Sequence, residues 1–208
     1  IKEGLIANKI NRIYGIFNGT SNYVLSSMEI NKTSFSQTIN KAIKLGYAES
    51  NPSSDINGDD VASKVKILSC LSFNSFINKN IHGEGIKDVD EEDITNSNNL
   101  GYKIKLMGFS EILNNKIYQR VHPTLVNKTS YISKVDGVLN AVIIDGKPVG
   151  RSTIQGEGAG PSATTSALVS DICSVLRGNV KYPFSMPVSK RKKIKSADLS
   201  NKIFSSYI

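Results

Sequence analysis

The sequence predicts an α+β fold: a mixed sheet covered by helices. Three observations carry that expectation. Helical periodicity dominates residues 20–75, period-two alternation dominates residues 102–154, and the strands cluster instead of alternating one by one with helices. With 208 residues, of which 39% are hydrophobic, the chain can bury a real core. No run of about 18 apolar residues exists, so no membrane span is expected. Ile1-Lys2-Glu3-Gly4 has no charged-then-apolar signal region. Two cysteines build neither a disulfide framework nor a four-cysteine zinc site, and a reducing cytoplasm is the expected compartment.

The elements follow in order. Ile1–Asn11 reads as the end of an amphipathic segment already under way. Thr20 is placed to cap a helix running through Tyr23, Leu25 and Met28. Ser34-Phe35-Ser36-Gln37 is a capping box, after which Phe35, Ile39, Ala42 and Ile43 share one helical face and Gly46 stands where a terminating glycine belongs. A loop from Tyr47 to Gly58 leads to a helix starting near Asp59, with Val61, Val65, Leu68 and Leu71 on one face. Residues 88–99 are acidic and then Asn-rich, an exposed connection. Asp88–Asp93 lacks the ladder, central glycine and final glutamate of a calcium loop.

Tyr102, Ile104 and Leu106 alternate with Lys103 and Lys105 as a strand, and Ile117–Val126 is a second. Val138–Ile144 and Val149–Ile154 flank a hairpin expected around Asp145-Gly146-Lys147-Pro148. A glycine loop, Gln155–Gly160, precedes a helix from Ser162 to Leu176, with Leu168, Ile172 and Val175 expected inward. Asn201–Ile208 reads as the opening of a strand. The chain is therefore expected to be a piece of a longer one.

The formal charge is +8, from 26 basic and 18 acidic side chains. Lys181, Lys190, Arg191, Lys192, Lys193, Lys195 and Lys202 against Asp198 put +6 of it in residues 181–208. A nucleic-acid surface is one reading of Ser189–Lys195. The run has no interleaved aromatics for base stacking, which favours a solvated segment. His82 and His122 have no ligand partner at metal spacing. Cys70 and Cys173 lie beside apolar helical positions and are expected as small buried hydrophobes.

The segment from Leu45 to Val65 carries the chemistry. Asp60 and Lys64 are four apart on a helix and share a face. Glu49 and Asp55 lie in the loop leading into it, and the helix N-terminus offers free backbone N–H groups. A lysine flanked by carboxylates can hold a zwitterionic small molecule, with carboxylates on its ammonium and the lysine giving a proton to a developing alkoxide. The competing reading is a surface ion pair worth about 0.3–0.5 kcal/mol, and spacing alone favours it.

Four segments decide otherwise. Leu45-Gly46-Tyr47-Ala48-Glu49, Pro52, Asp55, Gly58, Asp60, Ala62, Lys64, Ile67 and Leu68 resemble the catalytic stretch of homoserine dehydrogenases, LGYAExDPxxDxxGxDxAxKxxIL. The chain departs from it at Asn51, commonly Asp in the family, and at Ser54, acidic in some members. Gly15-Ile16-Phe17-Asn18-Gly19-Thr20-Ser21-Asn22-Tyr23-Val24-Leu25 resembles the family's GIxNGTxNYIL. Leu100–Leu106 is similar to its LGYxIKLL, and Gly156–Gly160 with Thr164–Ala167 to its GxGAGxxxTASA. These occur in family order across residues 4 to about 180.

The resemblance implies interconversion of L-aspartate 4-semialdehyde and L-homoserine with NAD or NADP, on the route to threonine, methionine and isoleucine. It implies Lys64 as proton donor and Glu49 and Asp60 as substrate carboxylates. Tyr47, Thr20 and Asp55 become walls of the site, and Gly46 and Gly158 backbone positions near the cofactor. It further implies a homodimer or homotetramer whose sheet is shared across the dimer, and a monovalent-cation site lying mostly upstream of residue 1. Residues 1–180 would be the catalytic and dimerisation domain, and 181–208 a basic linker opening toward a regulatory ACT module. The glycine fingerprint of a dinucleotide-binding βαβ unit is not in this sequence, so the chain alone is expected to be inactive. Two other readings are a non-catalytic dimerisation module and a basic nucleic-acid binder; the retained Glu49, Asp60 and Lys64 argue against the first.

Overall fold

The structure is a computed structural model that describes residues 1–75, 80–179, 184, 187–191 and 194–197. Strand β1 (Lys9–Ile16) leads into α1 (Gly19–Asn31), α2 (Phe35–Lys44), a single turn α3 (Ser53–Ile56) and α4 (Asp59–Phe73). The short β2 (His82–Gly83) and helix α5 (Glu91–Asn99) precede the long strands β3 (Tyr102–Leu113) and β4 (Lys116–Asn127). Strands β5 (Leu139–Lys147) and β6 (Gly150–Glu157), helix α6 (Pro161–Leu176) and a short β7 (Lys195–Ser196) complete it. The seven strands make one sheet, in the order β2-β4-β3-β1-β5-β6, with β7 also beside β4. The long strands pair antiparallel. Strands β2 and β7 run parallel to β4, so the sheet is mixed and the fold α+β.

The main core lies between the sheet and α1, α4 and α5. Phe17, Val24, Leu25, Met28, Val61, Val65, Leu106 and Val121 are all buried there. The seating of α4 depends on a missing side chain. A Cβ at Gly108 of β3 would lie 2.5 Å from Val65 Cγ2 and 2.8 Å from Phe17 Cδ2. Gly108 therefore lets α4 and Phe17 press directly on the sheet, and both carry the site described below.

Several expectations change. Ile1–Asn11 is not one amphipathic segment: turns over residues 2–7 lead into β1, which begins at Lys9 and lies in the middle of the sheet. Its register against β5 shifts between Ile10 and Arg12. That irregularity turns Ile10 and Ile13 into the same cluster, at a three-residue spacing that imitates a helix. Residues 88–99 are not a connection either. Asp90 and Asp93 form a capping box at the head of α5, whose Ile94 and Ser97 are buried. The hairpin turn falls at Lys147-Pro148-Val149, because Asp145 and Gly146 remain inside β5, opposite Arg151 and Gly150. Asp145 is held there by Arg12 Nη2 at 2.8 Å and Arg151 Nε at 2.7 Å.

Helix α6 departs furthest. Leu168, Ile172 and Val175 share a face, as the periodicity requires, but they are 61%, 50% and 62% exposed. Periodicity identifies a common face; it does not supply a neighbour for it. Cys173 on this helix is half-exposed, whereas Cys70 on α4 is buried. In the tail, Ala197 N–H donates to the Ile117 carbonyl at 2.8 Å and fastens β7 to β4. The strand expected over Asn201–Ile208 lies outside the described residues.

One buried ionic cluster ties α1 to β3. Lys105 is 1% exposed, yet its ammonium is fully partnered: Asp136 Oδ1 at 2.6 Å, the Val135 carbonyl at 2.7 Å and Asn22 Oδ1 at 3.0 Å. Lys103 adds Asp136 at 2.9 Å and Glu29 at 3.2 Å. Burial alone would push the Asp136 carboxyl up. The hydrogen bonds and charges of Lys105 and Lys103 outweigh it and hold the group below the usual carboxylate range. A carboxyl depressed in the folded state contributes stability that is complete above its unfolded value of about 3.9 and is lost as pH falls through the lower folded value. Asp136→Asn is expected to cost about 3 kcal/mol at neutral pH, by leaving the Lys105 charge without its counter-ion. Urea denaturation from pH 7 to pH 3 checks this: the variant should start lower and lose less stability on acidification than the parent.

Candidate functional site

The site forms where four chain reversals meet. Asn18 is the N-cap of α1, its Oδ1 accepting from Ser21 N–H at 2.8 Å. The cap is therefore Asn18 and not Thr20. Thr20 instead donates its hydroxyl to the Tyr47 carbonyl at 2.7 Å, stitching α1 to the end of α2. Helix α2 begins with the Ser34–Gln37 capping box, as expected. It ends in a Schellman turn: Gly46 N–H reaches the Ile43 carbonyl at 3.1 Å and Tyr47 N–H the Ala42 carbonyl at 2.9 Å. Gly46 has φ +76°, which a side chain would resist. The turn places Tyr47 against Tyr23, ring centroids 4.9 Å apart.

Opposite, α4 presents Asp60 in its first turn and Lys64 one turn later. Lys64 Nζ donates to Asp60 Oδ2 at 2.7 Å and to the Phe17 carbonyl at 2.8 Å. An ammonium has three donors, so one N–H remains for the cavity. Asn18 Nδ2 donates to Asp60 Oδ2 at 2.9 Å and to Asp55 Oδ1 at 2.7 Å. Asp55, Asn18, Asp60 and Lys64 thus form one continuous chain of hydrogen bonds. They line a cavity of about 490 Å³, within the usual range for small ligands. Thr20, Gly46 and Tyr47 line the same cavity.

The far wall is Val138 in the turn before β5, Asn140 of β5, and Glu157–Pro161, which run from the end of β6 to the first residue of α6. Gly158 leaves room for the Asn140 side chain: a Cβ on it would lie 1.8 Å from Asn140 Nδ2, so Asn140 would have to move. Asn140 Oδ1 is buried and accepts no hydrogen bond from the described residues. This wall joins close backbone approach, an orphaned acceptor and the free N–H groups at the start of α6, which together suit a polar, anionic part of a ligand. No group of three or more His, Cys, Asp or Glu side chains among the described residues could hold a metal ion.

The structure brings together Lys64, Asp60, Asp55, Thr20, Tyr47, Gly46 and Gly158. Glu49 is left out: it is exposed on the loop between α2 and α3 and does not line the cavity. Asn18 and Asn140 went unassigned as site residues. Asn18 had a local signal, since Asn caps helices at least as well as Thr. Asn140 sits in an ordinary-looking strand, and only the fold sets it against Gly158.

The homoserine dehydrogenase family profile matches residues 1–173. Homoserine dehydrogenase of Neisseria gonorrhoeae is 42% identical over 178 residues, covering 85% of this chain and 41% of that one. The Helicobacter pylori enzyme is 39% identical over 204 residues, covering 95% and 48%. The crystal structure of the Thiobacillus denitrificans homoserine dehydrogenase superimposes with a TM-score of 0.84 at 37% identity, over 93% of this chain and 47% of that one. That of S. aureus at pH 6.5 gives 0.77 at 40% identity, over 86% and 45%. A hyperthermophilic archaeal homoserine dehydrogenase mutant, solved in complex with NADPH, gives 0.68 at 26% identity, over 85% and 50%. Fold and relatives together define the family. The chain belongs to the homoserine dehydrogenase family. It spans 41–48% of the length of these two curated relatives.

Proposed function

We propose that this chain supplies the substrate-binding and catalytic part of an NAD(P)-dependent homoserine dehydrogenase, which interconverts L-aspartate 4-semialdehyde and L-homoserine. The observation that carries the reading is the Asp55–Asn18–Asp60–Lys64 chain facing Gly158 and Asn140 across one cavity. The archaeal relative solved in complex with NADPH supports a nicotinamide cofactor for the family.

Lys64 is the proton donor. The Phe17 carbonyl and Asp60 fix two of its N–H groups and direct the third into the cavity. There it stabilises charge developing on the substrate oxygen and protonates it. Asp55 and Asp60 draw in the substrate ammonium and orient it. Glu49, the further carboxylate of the family motif, stands exposed on the adjoining loop. Thr20 and Tyr47 close the side of the cavity. Gly46, Gly158, Asn140 and the first turn of α6 would hold the cofactor, which supplies the hydride when bound. On the same reading, residues 1–180 form a catalytic and dimerisation domain, 181–208 lead toward a regulatory module, and the protein works in the cytoplasm as a homodimer or homotetramer.

Two experiments on the complete gene product test this. Lys64→Ala should lower kcat by roughly 10²–10⁴-fold in the semialdehyde assay with an unchanged circular-dichroism melt; near-normal turnover overturns the assignment. Gly158→Ala should push Asn140 aside and weaken dinucleotide use. Asn140→Ala in that background should restore part of kcat/KM for the dinucleotide, because the clash is then gone. Additive losses would show that the two residues do not share a wall.

A further inference from the structure

We infer that Asn18 is a positioning residue, a neutral clamp that sets the two substrate carboxylates at a working separation. This rests on the active-site reading above and adds a residue to it. Asn18 is 4% exposed, and every polar group of its side chain is engaged. Its two N–H bonds go to Asp55 Oδ1 at 2.7 Å and Asp60 Oδ2 at 2.9 Å, and its oxygen accepts from Ser21 N–H at 2.8 Å. The amide cannot be reversed. Reversal would turn its oxygen toward two carboxylates and its N–H groups toward a backbone donor.

The chemistry explains why an amide stands there. Asp55 and Asp60 both take a hydrogen bond from the one Asn18 amide nitrogen, which places two like-charged side chains side by side. Something must bridge them, and the available bridges differ in charge. A lysine or arginine would hold them well but neutralise them, so the substrate ammonium would lose its attraction. A carboxylate would add a third negative charge. A primary amide is neutral and has two N–H bonds at a fixed angle. It joins the carboxylates without adding charge, so Asp55 and Asp60 keep their attraction for an incoming ammonium.

The same residue governs Lys64 indirectly. Asp60 Oδ2 accepts from both Asn18 and Lys64, and Lys64 also reaches the carbonyl of Phe17, the residue next to Asn18. Movement of Asn18 would therefore shift both anchors of the ammonium. The role is one of position: Asn18 fixes the groups that act.

The test separates this role from helix capping, using the complete gene product. Asn18→Ser keeps an oxygen that can cap α1 but removes both amide N–H donors, and its single, shorter hydroxyl cannot bridge the two carboxylates. Asn18→Asp keeps the shape and the cap but replaces the donors with charge. For Asn18→Ser the melting temperature should hold while kcat/KM for homoserine falls roughly 10- to 100-fold, the scale of a lost hydrogen bond to a charged group. KM for the dinucleotide should not move. Asn18→Asp should lose more than the serine variant. If it fails to fold, the serine variant decides alone. Wild-type kcat/KM for homoserine in Asn18→Ser overturns the inference. So does a loss that appears equally in KM for the dinucleotide or that tracks a fall in melting temperature, since that is the signature of a cap alone. Lys64→Ala is measured beside them. If it is inactive while Asn18→Ser is normal, only the clamp falls; if Lys64→Ala is active, the active-site reading falls and the clamp with it.

Discussion

The flush contact of α4 with β3 and Phe17 is the constraint on which the rest depends. Gly108 removes the side chain that would hold them apart, and Val65 and Phe17 fill the space. Phe17 is then pinned by its ring while its carbonyl remains available on the other side. Lys64, one position before Val65, reaches that carbonyl at 2.8 Å. An apolar contact thereby sets the height of a charged group over the cavity. A looser seat would leave Asp60 and Lys64 as an ordinary solvated pair on a helix, the alternative their spacing first suggests.

A second contact steadies the opposite side of the same junction. Helix α1 starts at Asn18, and its Asn22 is held by the Lys105 ammonium and by the carbonyls of Val135 and Leu139. The head of α1 is therefore fixed on one flank by Asp55 and Asp60 and on the other by a buried cation. Neither contact is worth much as net stability, because desolvation offsets most of the attraction. Their value is geometric: each admits one arrangement of the partners.

What the sequence revealed and concealed follows the range of the interactions. The Ser34–Gln37 box, the Gly46 turn and the Asp60–Lys64 pair are decided within a few residues, and they are plain in the sequence. So is the alternation of β3 and β4. Strand β1 was hidden because its irregularity at Ile10–Arg12 breaks the period on which strand reading relies. Helix α5 was hidden because Asn, Ser and Asp are weak helix formers and its buried apolar side chain is Ile94 alone. Asn18 shows its cap locally, but its carboxylate partners lie 37 and 42 positions away. Glu49 shows the reverse: a strong motif position that the fold leaves outside the cavity.

The open face of α6 has a practical meaning as well as a structural one. Leu168, Val169, Ile172, Val175 and Leu176 are each at least half exposed. A contiguous oily surface of this kind makes the bare chain a sticky solute, prone to associate with itself before anything in it unfolds. The helix also begins at Pro161, on the rim of the cavity. Colloidal behaviour and ligand access are thus coupled in this molecule. A group that covered α6 would sit beside the cavity that Pro161 lines.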